Sequence, residues 1–346
     1  MAYTTIDNGE EHFNTVLYTG DGSADNDITG VGFAPDWVWA KNRGAADAHW
    51  VLDSTRGATK GLYTNGTAAE NTQNHLISFD SDGFSVGNQA NGLNTSSNNY
   101  VAWNWKANGG TTTTNDASAT SVGTIDSVYQ ANTTAGFSIV TYTGTGSAGT
   151  IAHGLGATPK TYWIKRRSSG TADWYIYHSS IGATKNLRLN KTDTPSTDSD
   201  IFNDTEPTSS VFSLGSSFSN TSSKNYVAYC FSEVKGYSKF GSYTGNNSTN
   251  GAFVYTGFKP AWLMVKRTSG TANWDITTAA ISQNQIDERL RANLSNAEES
   301  TGYVDFLSNG FKMRNTNSSQ NNGTYIYLAF AEHPFVSSKG VPVTAR

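Results

Sequence analysis

Three short basic clusters are the residues of this chain best placed to hold a charged partner: Lys41 with Arg43, Lys165 with Arg166 and Arg167, and Lys266 with Arg267. Each ends an aromatic or apolar run, "WVWAK", "TYWIK" and "AWLMVK", close behind a proline. Side by side in space they would form spaced cationic spots, suited to an anionic polysaccharide or to acidic patches on neighbouring subunits. The plainer reading is a solvated strand end whose charge blocks edge pairing, and exposed charges ordinarily do no more than that. The indoles beside them raise a parallel question, because closely spaced tryptophans line sugar platforms as readily as they fill cores.

Other chemistry is thinly provided for. The histidines (His12, His49, His75, His153, His178, His333) show no metal-ligand spacing. "DSDG", Asp80 to Gly83, resembles half of a calcium loop but lacks the later ligands and the bidentate glutamate, so a turn is the better reading. No acidic residue recurs at one position, as a shared pair of glycosidase carboxylates would: Asp36 becomes Lys160 and then Ala261. There is no GxSxG, P-loop or GxGxxG. Sequons such as those at Asn65, Asn94 and Asn220 read as composition. No catalytic residue, metal or cofactor is expected.

What positions the basic clusters is an internal repeat. "YTG" occurs at Tyr18, Tyr142 and Tyr243, each time 17 residues before a proline, Pro35, Pro159 and Pro260. Downstream, Trp50, Trp174 and Trp274 follow the basic clusters, and "GATKGLYTN", "GATKNLRLN" and, more loosely, "RLRAN" match. Each unit closes on an aromatic strand: "YVAWNW", "YVAYCF" and "YLAFAE". The expected organisation is an N-terminal arm (1–12), three sandwich repeats (13–107, 137–235 and 236–335), a Thr/Ser/Gly-rich linker (108–136) with room for one strand, and a C-terminal tail (336–346).

Composition agrees. At 346 residues the chain suits two or three cores. Aromatics at 12%, charged residues at only 15%, and 34 glycines against 7 prolines favour short strands and tight turns over disorder. A net charge of −4 argues against nucleic acid. Single Cys230 excludes an internal disulfide and reads as a small buried hydrophobe. The start shows no secretory pattern and no run is long enough to cross a bilayer, so a soluble protein made in a cytoplasm is expected. Asp82-Gly83 and Asn309-Gly310 mark hairpins with positive φ angles. Only Ser282 to Ser300 has helix-forming composition, enough for a turn or two.

The indoles can then be weighed. Alternation places Val38 and Ala40, Tyr162 and Ile164, and Leu263 and Val265 on one apolar strand face. The opposite face carries Trp37, Trp39 and Lys41; Thr161, Trp163 and Lys165; Trp262, Met264 and Lys266. Its middle position accepts methionine as readily as indole, which favours core or inter-unit packing over a ligand platform.

The phrases "FAPDWVWAKNR", "FDSDGF", "YVAWNWKANGG", "FSIVTYTGTGSAGTIAHGLGATPK", "NYVAYCFSEVKGYSKFGSYTG", "FVYTGFKPAWLMVKR" and "AFAEHPFVSSKGVPVTAR" resemble a family of repeat-bearing structural proteins of tailed, mainly marine, bacteriophages. Its members are described as tail fibre-like or concanavalin A-like. The resemblance implies a non-enzymatic virion component on the outer surface of the tail or capsid. Together these readings give an all-β protein of three tandem antiparallel, jelly-roll-like sandwiches. It would be made in the host cytoplasm and associate with other virion proteins and with itself, as a homotrimer. A host-surface polysaccharide is a further possible partner; nucleic acid and membrane insertion are not. A capsid decoration protein and a glycan-binding, lectin-like module are the alternatives.

Overall fold

β-Branched and aromatic residues in runs of strand length, punctuated by Thr-Gly and Asp-Gly, give antiparallel sheets throughout the described residues. The computed structural model describes residues 4–90, 92–282 and 284–332; the expected tail, 336–346, and His333 lie outside them. Three large sheets share a strand order. In the first it is Phe13–Thr19, Asn99–Trp105, Trp37–Asn42, Trp50–Asp53, Lys60–Tyr63 and Asn71–Thr72. In the second, Phe137–Thr143, Asn225–Ser232, Pro159–Arg166, Trp174–His178, Lys185–Arg188 and Ser196–Thr197 take the same places. In the third, Ser238–Thr244, Thr324–Ala331, Pro260–Arg267, Trp274–Thr278 and Ile286–Arg291 do so. Small sheets cover the first two: Asn26–Thr29 with Gly83–Val86 and Leu76–Asp80, and Gly149–Ala152 with Val211–Leu214. In the third, Glu299–Leu307, Gly310–Met313 and Phe253–Tyr255 continue the large sheet itself.

The central strands of each large sheet are buried on both faces, and alternation sorts their residues between two kinds of core. Val38 and Ala40 pack inside the first sandwich with Ile28, Leu76 and Phe84. Tyr162 and Ile164 pack inside the second with Phe202 and Phe212, and Leu263 and Val265 inside the third with Phe306 and Phe311. The other faces meet in one central core holding Trp37, Trp39, Trp103 and Trp105 from the first sheet, Trp163, Tyr229 and Phe231 from the second, and Trp262, Met264 and Phe330 from the third. Trp37 stacks on Tyr229 at 4.6 Å and meets Trp163 edge-on at 5.8 Å. Trp262 meets Trp39 at 6.3 Å and Trp105 at 5.8 Å, both edge-on. Trp37, Trp39, Trp163 and Trp262 are at most 1% exposed. The indoles are core, as the alternating pattern implies.

The recurring motifs become recurring bonds. Tyr18, Tyr142 and Tyr243 donate their hydroxyls to the carbonyls of Leu93, Ser219 and Gln320 and stack on Tyr100, Tyr226 and Tyr325 at 4.9 to 5.1 Å. The glycine of each "YTG" is forced by close approach: a Cβ on Gly20, Gly144 or Gly245 would lie 2.3 Å from the backbone of Thr95, Thr221 or Asn321. Asn94, Asn220 and Asn321 are buried, and each accepts the backbone N–H one residue past that glycine, from Asp21, Thr145 and Asn246. Two of the sequon asparagines, Asn94 and Asn220, are therefore loop clasps.

Several expectations need correction. Residues 108–136 are no loose linker: Thr113–Asn115 and Ser127–Asn132 extend the second sheet, with a helical turn at Ala117–Thr120 between them. Asp36 fixes the start of this segment, its carboxylate accepting the N–H groups of Ala107, Gly109 and Gly110. Ile6, in the expected arm, is buried in the central core. The helix-forming stretch after Ser282 is a strand, Ile286–Arg291, because Arg289 and Arg291 find carboxylates on the neighbouring strands, at Asp275 and Glu299. Trp50 is not the counterpart of Trp174 and Trp274. His49 is, because His49, Trp174 and Trp274 each donate their backbone N–H to the side-chain oxygen of Asn65, Asn190 or Asn293. A one-residue shift reverses the face, and Trp50 points into its own sandwich. At the hairpins, Gly83 alone has positive φ; Asp82, Asn309 and Gly310 do not.

Replacing Trp37 by alanine should cost about 3–5 kcal/mol. Because that indole touches two sheets, fluorescence and far-UV circular dichroism should shift together as one urea transition; loss of only part of the dichroism at lower urea would contradict a shared core.

Candidate functional site

The basic clusters sit where the sandwiches meet. Lys41, Lys165 and Lys266 are fully buried, so the expected solvated strand ends, and with them an array of three exposed cationic spots, are not what the fold builds. Lys165 donates to the Thr67 carbonyl of the first sandwich at 3.0 Å and to Ala172 O at 2.5 Å. Lys266 donates to Thr192 O of the second at 3.1 Å and to Arg267 O. Lys41 donates to the carbonyls of Asn42 and Ala45. The reason is positional: these lysines continue the inward face that carries the indoles, and a long stem lets the ammonium reach carbonyls at the rim of the seam.

The arginines divide. Arg167 makes a two-pronged pair with Glu70 of the first sandwich at 2.8 and 3.2 Å. Arg43 makes the same pair with Glu298 of the third at 2.7 and 3.0 Å. Thr268 stands at the corresponding place in the third sandwich, so that seam lacks the pair. Indole N–H groups cross two seams, Trp174 Nε1 to Tyr63 O at 2.6 Å and Trp274 Nε1 to Arg188 O at 3.0 Å. The second sandwich thus grips the first, the third grips the second, and the first grips the third. Arg166 and Arg267 stay at the surface, bonded within their own loops to Thr171 O and Ser269 Oγ.

A buried charged cluster at a seam is also structural. In the first seam, Arg56 bonds Asp53 at 2.5 Å, Glu70 at 2.9 Å and Tyr229 OH at 3.2 Å, and Tyr229 donates to Asp53 at 2.7 Å. Burial works against the guanidinium charge, yet Asp53, Tyr229 and Glu70 together hold Arg56 above its ordinary value. Neither Arg56 nor Asp53 has exposed side-chain surface, so no substrate reaches this network. Burial pushes His75, His153 and His178 down to about 4 and Cys230 well up. Among the described residues no group of three His, Cys, Asp or Glu side chains is placed to hold a metal, and Asp82, from the calcium-like phrase, instead accepts the N–H groups of Gly30 and Gly32.

Among the described residues the second sandwich also borders open concavities, one of them shared with Thr67 of the first. A shallow groove of about 710 Å³ runs over the added strands and is lined by Thr124, Asp126, Thr141, Thr143 and Asn225. A smaller cleft of about 440 Å³ includes Arg166, Thr171, Asp173, Tyr175, Ser217 and Phe218. Sequence reasoning passed over Tyr175 and Phe218. The available signal was a break in the repeat: two residues before the clasping asparagine, Phe218 stands where the other units have Gly92 and Ser319.

Burial pushes Lys165 down to about 7 and Lys41 and Lys266 to about 8, from an ordinary 10.5. Between those values and 10.5 the unfolded chain binds more protons than the folded one, so stability rises with pH. Buried tyrosines such as Tyr162, held above 10.0, reverse the trend beyond that point. Melting temperature should therefore climb from about pH 7 to just below pH 10 and then fall. Lys165→Met should flatten the climb, and a flat profile in the parent protein would contradict buried lysines.

A family model described as "Domain of unknown function (DUF7483)" matches residues 8–334, and the chain belongs to that family. No curated protein and no solved structure matches it.

Proposed function

We propose that this member of the DUF7483 family is a non-enzymatic structural protein of a tailed-bacteriophage virion, standing on the outer surface as a tail fibre-like appendage. One observation carries the reading: each of the three sandwiches grips the next, and their indoles are spent on the shared core. Such a body resists unfolding without disulfides, which suits a particle assembled in a host cytoplasm and then exposed outside it. The likeness of its phrases to phage structural proteins supports the same reading.

The inner faces are already occupied, so contacts with other virion proteins and with further copies, as a homotrimer, use the outer surface. Phe253 and Tyr255 favour one such contact: both are exposed, at 47% and 60%, on a strand paired along one side only. Capsid decoration is the second placement of the same body. Antibody raised against the purified chain, used for gold labelling of particles from the phage that encodes it, separates the two. Label on tail structures supports the appendage and label on heads supports decoration. Absence of the chain from purified particles by mass spectrometry would overturn the virion reading.

A further inference from the structure

We propose that the cleft between Phe218, Tyr175 and Arg166 on the second sandwich is a saccharide-binding site, with a pyranose ring lying on the Phe218 face and its hydroxyls directed at Arg166 and Ser217. The inference stands apart from the virion reading and would hold for this chain in any location.

The first support is a departure from the internal pattern. Trp50, Tyr175 and Asp275 occupy corresponding sheet positions, opposite Ala40, Ile164 and Val265. In the first sandwich that position is closed: Trp50 lies 3.5 Å from the His75 ring, and a Cβ on Gly92 would meet His75 Nδ1 at 2.6 Å. In the third it is closed by a buried ion pair, Asp275 with Arg289 at 3.0 Å, and by Ser319 Oγ at 2.5 Å. Only in the second is it left open. There Tyr175 is half-buried, and Phe218, 51% exposed, tilts across it at 5.9 Å and 46°.

A lone exposed phenylalanine is unremarkable on a protein surface. This one is paired with a second ring in a concavity of about 440 Å³, within the usual size of ligand sites. Polar residues line it: Arg166, whose guanidinium bonds Thr171 O at 2.6 Å, and Ser217. Arg166 Nε and Ser217 Oγ lie buried just beneath that lining without a partner. Folded proteins leave few such groups unsatisfied, and both belong to residues lining the cleft. Asp173, which also lines the cleft, is engaged by Lys191, Arg188 and Asn190.

These features select a saccharide over a peptide. A peptide that binds as an added strand needs a free edge, and Trp174–His178, which carries Tyr175, is paired on both sides. An aromatic face flanked by hydroxyls and a guanidinium instead suits a ring that is apolar on its face and hydroxylated at its rim.

The test is affinity electrophoresis of the full chain through gels containing dextran, alginate, agarose or polygalacturonate, followed by a glycan array. The parent chain should be retarded by at least one polysaccharide. Phe218→Ser, which installs the residue found in the third sandwich, should weaken that binding about tenfold. Its melting temperature should be unchanged, because the ring is half in solvent. Arg166→Lys should weaken binding less, and Asp126→Asn, in the neighbouring groove, should leave it alone. No retardation by any polysaccharide together with no array signal would overturn the proposal. So would a Phe218→Ser chain that binds like the parent, or a loss of binding confined to Asp126→Asn.

Discussion

Every large sheet in this protein is apolar on both sides, and that constraint governs the rest. A sandwich needs only one buried face, so a sheet with two must find a second partner or leave a row of indoles in water. Here the second partners are the other two large sheets. Trp39 meets both Trp163 and Trp262 at that junction. An isolated unit would expose the face that carries them, and the stability of each unit is therefore tied to the presence of the others.

The central packing carries polar costs that the seams help to offset. The indole N–H groups of Trp37, Trp103, Trp105 and Trp262 have no acceptor, while those of Trp174 and Trp274 reach carbonyls across a seam. The buried ammonium groups likewise end on carbonyl oxygens. The seams also differ: Arg56 with Asp53, Glu70 and Tyr229 belongs to the first and second sandwiches alone, and the pair of Arg43 with Glu298 to the first and third. Because breaking a buried pair leaves an uncompensated charge, these differences penalise joining the units in another order.

The sequence was most legible where local rules act alone. Strand runs, the recurring tyrosine and glycine, and the alternation that sets Val38 and Ala40 apart from Trp37 and Trp39 all follow from period and spacing, and all reappear in the bonds. Legibility failed where residue type competed with register. Trp50 matches Trp174 by identity and by its distance from the basic cluster, yet His49 holds the equivalent place. The strand Ile286–Arg291 has the composition of a helix and becomes a strand because its arginines have partners across the sheet. Phe218 was passed over because nothing periodic marks it; it is visible only as an exception once the three units are superposed.

By itself, then, the sequence determined that the chain is all-β, that its strands have two apolar faces, and where lysine ends each inward row. It did not determine which apolar face lies inside a sandwich and which lies between sandwiches, since alternation separates two faces without ranking them. Nor did it reveal that the lysines are buried. Lys41 ends on nearby carbonyls, but Lys165 and Lys266 reach the backbone carbonyls of Thr67 and Thr192, supplied by loops about a hundred and about seventy residues away in the chain. Every residue carries such a carbonyl, so only the folded arrangement could single those out.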